Sequence, residues 1–206
     1  VSPQEFIPLL EKSGLITPVG KWVLEKSIQA YLALQKWAPG LKVNVNISYI
    51  QVSKSAVLRD ILNIIKKYNV DQNRLVIELT ESGFIESDRF FVSFCNRLKE
   101  NGILLALDDF GTGYSNFHYL YNLKPDCIKV DRGLMKNALA NQYENMLLKH
   151  MIDMAHSVDV KMCIEGIETQ EELDKILEMG CDYIQGYYFS KPLPFNEIEE
   201  YLKNFK

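Results

Sequence analysis

The sequence predicts an α/β fold, a parallel sheet covered by helices, and three observations predict it. Short, near-continuously apolar segments alternate with amphipathic ones, the signature of strands buried on both faces by crossover helices. The alternation runs through all 206 residues without a linker or low-complexity stretch, so one domain over 1–206 is expected. No phosphate-binding glycine loop follows the first strand, which counts against a dinucleotide fold. An open doubly wound sheet and a closed barrel both satisfy these observations. A closed barrel of this type needs eight strands, and the sequence supplies six.

The elements follow in order. Ser2-Pro3-Gln4-Glu5 reads as a capping box with proline at the first helical position, opening a helix through Leu10. Thr17-Pro18 opens a second, with Trp22, Val23, Ile28, Tyr31, Leu32 and Trp37 near helical spacing. Val43 to Ile47 is a strand, Ser53 to Lys67 a helix, Leu75 to Leu79 a strand, Arg89 to Asn101 a helix and Ile103 to Leu107 a strand. A helical turn is expected over Asn116 to Tyr121, then a strand from Cys127 to Val130 and a helix from Gln142 to Ser157. Val160 to Ile164 is the fifth strand. Thr169-Gln170-Glu171-Glu172 is another capping box, for a helix ending at Gly180. Tyr183 to Gly186 is the last strand and Asn196 to Asn204 the closing helix.

Composition narrows the function classes. The net charge is −4 and the basic residues are scattered, whereas a DNA or RNA polymer would call for a basic stripe. No apolar run reaches the length of a membrane span, so no membrane contact is expected. Val1-Ser2-Pro3-Gln4-Glu5 has neither the basic start nor the apolar stretch of a secretory leader, and without an initiator Met the chain reads as a piece of a longer protein. Cys95, Cys127, Cys163 and Cys181 lack paired metal-type spacing. A cytoplasmic location is the expectation.

Chemistry concentrates at the strand ends. Leu104-Leu105-Ala106-Leu107-Asp108-Asp109-Phe110-Gly111-Thr112-Gly113 runs an apolar strand into two adjacent carboxylates and a glycine-punctuated loop. Such a pair needs cations or donors around it; helix-capping aspartates at a solvated loop start are the structural alternative. Asn46 with Ser48 and Gln51, Glu78 with Glu81, Lys129 with Asp131, Glu165 with Glu168, and Gln185 close the other strands. Any one alone reads as a cap or a solvated group, but six successive strands ending so point to one shared site. Its donors are oxygens, with one lysine and no histidine, which favours Mg²⁺ or Mn²⁺ over Zn²⁺. Asp108 and Asp109 can split between two cations. Lys129 either holds a phosphate oxygen or attacking water, or forms a salt bridge to a neighbouring carboxylate. His118, His150 and His156 read as surface groups.

At these residues the sequence resembles the EAL domain family, bacterial phosphodiesterases of cyclic di-GMP. The resemblance spans the chain in ordered segments: Phe6-Ile7-Pro8-Leu9, Val45-Asn46-Ile47-Ser48, Glu78-Leu79-Thr80-Glu81-Ser82, Asp108-Asp109-Phe110-Gly111-Thr112-Gly113, Ile128-Lys129-Val130-Asp131, Glu165-Gly166-Ile167-Glu168-Thr169 and Gln185-Gly186-Tyr187-Tyr188. It implies a (β/α)8 TIM-like barrel, here about six of eight strands, and hydrolysis of cyclic di-GMP to linear pGpG with two Mg²⁺ or Mn²⁺ ions. Carried over residue by residue, Asn46, Glu78, Asp108, Asp109 and Glu165 are metal ligands. Lys129 and Glu165 are catalytic, acting on the attacking water and the transition-state charge. Gln185, Asp131 and Glu168 bind substrate or support those that do, and Glu81 anchors the loop after Asp109. The family's dimers imply a homodimer through helices near that loop. The Glu-Ala-Leu tripeptide itself is not in the sequence; it is expected upstream of Val1, and without its carboxylate this chain is expected to be impaired. A degenerate receptor that binds cyclic di-GMP without cleaving it is the alternative, and a Schiff-base role for Lys129 is a third and weaker reading.

Overall fold

The computed structural model describes residues 1–54, 56–80, 89–111 and 122–204. The chain groups into two compact units, one of residues 1–79, 86–104 and 194–206, the other of 80–85 and 105–193. Among the described residues there are six strands, two in the first unit and four in the second.

The first unit holds helices α1 (Pro3–Ser13), α2 (Ile16–Leu34), α3 (Tyr49–Lys54), α4 (Val57–Tyr68), α5 (Arg89–Glu100) and α9 (Phe195–Asn204), with strands β1 (Val43–Asn46) and β2 (Leu75–Thr80). Its core is the apolar stripe of each helix against the pair: Leu24, Ile28, Tyr31 and Leu34 of α2, Ile61, Ile64 and Ile65 of α4, and Phe91, Phe94 and Leu98 of α5 are buried. These spacings of three and four residues place one face inward. β2 is buried from Leu75 through Leu79, as a strand covered on both faces must be. β1 pairs with β2 in parallel, with Asn46 opposite Glu78.

The second unit is a four-stranded parallel sheet of β3 (Leu104–Phe110), β4 (Cys127–Val130), β5 (Lys161–Glu165) and β6 (Tyr183–Gln185), covered by α6 (Arg132–Ala140), α7 (Gln142–Ser157) and α8 (Gln170–Leu177). Period-two alternation divides the sheet. Ile128, Val130, Met162 and Ile164 join Met135, Leu148, Ile152 and Ile176 in the helix-covered core, which leaves Lys129, Cys163 and Glu165 on the other face.

The β3–β4 register slips between Leu107 and Phe110: Leu107 lies opposite Ile128, yet Phe110 lies opposite Val130. Three steps on one strand match two on the other, which is a bulge. Asp109 absorbs it at φ +55°, a left-handed conformation costly for most side chains but tolerated by aspartate. Phe110 thereby enters the helix-covered core instead of following Asp108 to the opposite face.

Several expectations need correction. Where one helix over 53–67 is expected, two are described, α3 ending at Lys54 and α4 beginning at Val57. α6 was not foreseen: Gly133 and Asn137 weaken its propensity, and Asn141 closes it while capping α7 through its own side chain. α2 begins at Ile16 with no side-chain cap and stops at Leu34, short of Trp37. Ser2 caps α1 through the amide of Gln4. The Thr169–Glu172 capping box forms as expected. The turn over 116–121 lies outside the described residues.

Candidate active site

In the second unit, three strands deliver one charged cluster. Lys129 of β4 places its Nζ 3.1 Å from Asp108 Oδ1 of β3 and 2.7 Å from Glu165 Oε1 of β5. Lys129 is 5% exposed, and with Gln51 and Glu78 it makes up the buried polar and charged residues described for this chain. Burial of an ammonium is costly without carboxylates; here two carboxylates converge on one ammonium, so the triad carries net negative charge. The salt-bridge reading of Lys129 is therefore realised. It is compatible with a catalytic use, since the same pairs fix where the ammonium points.

The backbone supplies the rest of that geometry. The bulge holds Asp108 at the strand end, and its Oδ1 accepts the amide of Asp109 at 3.1 Å. Asp109 is exposed. Glu165 lies opposite Gln185 in the β5–β6 pair. Asp131 is the N-cap of α6, its Oδ1 accepting the amides of Gly133 at 2.6 Å and Leu134 at 3.4 Å. The loops after β5 and β6 are pinned together: Ile167 donates its amide to the Gln185 carbonyl, and Tyr188 donates to the Ile167 carbonyl at 3.0 Å. A side chain on Gly186 would collide with the backbone of Ile167, so glycine is required by close approach.

These loops border a cavity of about 440 Å³ that Asp131, Arg132, Glu165, Glu168 and Gln185 help to line. Six residues named in the sequence thus belong to one unit and one neighbourhood: Asp131, Glu165, Glu168 and Gln185 at the cavity, with Lys129 ion-paired to Glu165 and Asp108.

The first unit carries its own polar strand ends. Glu78 is buried and accepts from Asn44 Nδ2 at 2.7 Å, with Asn46 as its register neighbour. Asn44 was missed by sequence reading, although period two puts it on the face of Asn46. The turn after β1 is held by Gln51, buried, whose Oε1 accepts the Ser48 amide at 3.1 Å. Glu81 and the loop at 112–121, with the helix contacts expected near it, lie outside the described residues. His150 and His156 are exposed, as expected, though His156 Nε2 also bonds Asp182 at 2.7 Å.

The donor chemistry can be tested against a divalent ion. Among the described residues no three His, Cys, Asp or Glu side chains form a group that could hold a metal. The strand-end donors of each unit are nevertheless carboxylate and amide oxygens, the ligands hard divalent cations take. Asp108 and Glu165 already turn toward a single positive charge. By donor type the residues fit Mg²⁺ or Mn²⁺. No helix among the described residues is long and apolar enough to cross a membrane.

Comparison with known proteins extends this geometry. The chain is 34% identical over 199 residues to the probable cyclic di-GMP phosphodiesterase PdeG of Escherichia coli, covering 96% of this chain and 39% of that protein. It spans 24% to 39% of the length of the first three curated relatives it matches. Among solved structures, the EAL enzyme Bd1971 with cAMP and cyclic di-GMP bound superposes with a TM-score of 0.93 at 26% identity, over 98% of this chain and 56% of that one. The PaMucR phosphodiesterase in complex with c-di-GMP gives 0.89 at 27%, over 96% and 81%. These matches carry the α/β, TIM-like fold class. Residues 1–192 match the family described as EAL domain, and with the strand-end cluster in place the chain belongs to the EAL domain family.

Proposed function

We propose that this chain is the phosphodiesterase domain of a cyclic di-GMP hydrolase, opening one phosphodiester to give linear pGpG. The observation that carries the reading is the Lys129–Asp108–Glu165 triad at the carboxyl ends of three adjacent parallel strands, where parallel α/β folds concentrate their chemistry. Relatives named as cyclic di-GMP phosphodiesterases support it.

Asn46, Glu78, Asp108, Asp109 and Glu165 would hold two Mg²⁺ or Mn²⁺ ions, which would supply Lewis-acid activation of water and neutralisation of phosphate charge. The chain's own residues do the rest. Lys129 presents a fixed positive charge to the phosphoryl oxygens as charge develops, and costs no reorganisation because its two ion pairs pre-set it. Glu165 is ion-paired with Lys129 and stands beside the cavity, placed to receive a proton from the attacking water. Gln185 and Glu168 face the nucleobase side of the substrate and Asp131 fixes the start of α6; an anchoring role for Glu81, outside the described residues, belongs to the same reading. A cytoplasmic reaction belongs to this reading, in keeping with cysteines that form no disulfide among the described residues. Pairing of two copies through helices near the loop after Asp109 belongs to the same reading, and sedimentation velocity tests it.

The deciding experiment is Mn²⁺-dependent turnover of cyclic di-GMP by the intact protein and its Asp108→Asn variant, with pGpG resolved chromatographically. A fall of at least about 100-fold with an unchanged circular dichroism spectrum is expected, the scale for losing a preorganised charge in a site. Unchanged turnover overturns the ligand assignment. The second reading, a receptor that binds without cleaving, is favoured by the lack of a three-ligand group among the described residues; binding by the wild type without pGpG formation would select it.

A further inference from the structure

The geometry points to Arg132 as a positioning residue that aims Glu168 into the cavity and so sets purine specificity; this rests on the functional reading above. Arg132 opens α6, directly after its cap Asp131. Its Nη2 lies 2.7 Å from Glu168 Oε2. Lys136, one turn further on the same helix, approaches that same oxygen at 3.9 Å and is bonded to Glu172 Oε1. Both cations thus address Oε2, and Glu168 Oε1 has no partner among the described residues. Arg132 and Glu168 both line the cavity of about 440 Å³.

The backbone of the loop is fixed independently. Glu172 Oε2 accepts the amide of Glu168 at 2.8 Å and that of Thr169 at 3.3 Å. Gly166, at φ +80°, leaves space that the Arg132 stem fills: a Cβ there would stand 2.6 Å from Arg132 Cβ. The arginine therefore contributes two separable things, a stem packed on Gly166 and a guanidinium that holds one oxygen of Glu168. An exposed ion pair adds little to stability, so this pair's value lies in orientation.

A carboxylate with one oxygen tied back and the other presented is an acceptor for N–H donors. Guanine offers N1–H and the 2-amino group on one edge, and hypoxanthine lacks the 2-amino group. With the guanidinium removed, Glu168 can rotate, and the preference for the 2-amino group should fade. A small misplacement of a substrate-orienting group can cost up to about 100-fold, and a hydrogen bond to a charged group is worth roughly tenfold or more.

The test uses the intact protein, with cyclic di-GMP and cyclic di-IMP titrated calorimetrically and turnover measured alongside. Arg132→Met keeps the stem, and Arg132→Lys keeps the charge. The wild type should bind cyclic di-GMP roughly tenfold or more tightly than cyclic di-IMP. Arg132→Met should collapse that ratio to within about twofold and raise KM while leaving kcat within about threefold, and Arg132→Lys should restore part of the ratio. A wild-type ratio retained in Arg132→Met overturns the inference alone, as does a loss confined to kcat. Failure of the wild type to bind or cleave cyclic di-GMP overturns the functional reading and the inference with it.

Discussion

Replacing Lys129 by Met tests whether the triad is a balanced charge cluster. The Lys129 side chain is 7% exposed and its ammonium sits 2.7 and 3.1 Å from the two carboxylates. Met preserves most of the stem volume but leaves Asp108 and Glu165 facing each other without their cation. Breaking a buried pair from one side costs about 3–5 kcal/mol, because uncompensated charge remains behind. For a chain of this size each kcal/mol lowers Tm by about 2–4 °C, so a fall of about 6–20 °C is expected. The assay is thermal unfolding followed by circular dichroism at neutral pH and low salt. Adding Glu165→Gln to Lys129→Met should recover part of the loss, since one of the stranded charges is gone. Millimolar Mn²⁺ should stabilise Lys129→Met more than the wild type, the ion standing in for the missing charge. A Tm within about 2 °C of the wild type would refute the reasoning, given that scale. A double variant less stable than Lys129→Met would refute it too.

Other outcomes follow from local chemistry. Burial pushes the Asp182 carboxyl up, but hydrogen bonds from the Lys161 ammonium, the Met162 amide and the His156 ring outweigh it and hold the group at about 2, below its ordinary 3.8. A depressed folded-state pKa stabilises above the unfolded value and is lost as pH falls toward 2, so this group contributes about 2 kcal/mol at neutral pH. Urea unfolding at pH 7 and pH 2.5 should show Asp182→Asn clearly weaker than the wild type at pH 7 and the gap narrowed to about a third at pH 2.5. Gly186→Ala should lower Tm and weaken cyclic di-GMP binding together, because the new Cβ meets the Ile167 backbone; a destabilisation of at least about 1 kcal/mol is expected, as for other backbone misfits. Burial pushes the Cys95 thiol up to about 12, so mass spectrometry after iodoacetamide treatment at pH 8 should find it unmodified in the folded protein and alkylated in urea.

Much of this was legible because periodicity and strand-end chemistry are local. All six strands fall within one to three residues of their sequence boundaries, since continuous apolar runs have few alternative readings. The motifs at Asp108, Lys129, Glu165 and Gln185 likewise sit at strand ends. What escaped depended on partners remote in sequence. Asn44 matters only because parallel pairing brings it to Glu78, 34 residues away. Arg132 matters only because Glu168, 36 residues away, folds back over α6. Helix ends were equally obscure: nothing in the apolar spacing of 53–67 marks the end of α3 at Lys54 or the start of α4 at Val57.

The slip in β3 has a consequence for how this sequence can vary. An unbroken strand couples every residue's facing to every other's, so substitutions on one side constrain spacing on the other. The extra residue at Asp109 cuts that coupling. Upstream of it, spacing is set by where the charge cluster needs Asp108; downstream, by where the core needs Phe110. Deleting Asp109 would restore regular alternation and still leave Phe110 opposite Val130, so the core tolerates the shorter strand and it is the position of Asp109 itself that the slip preserves.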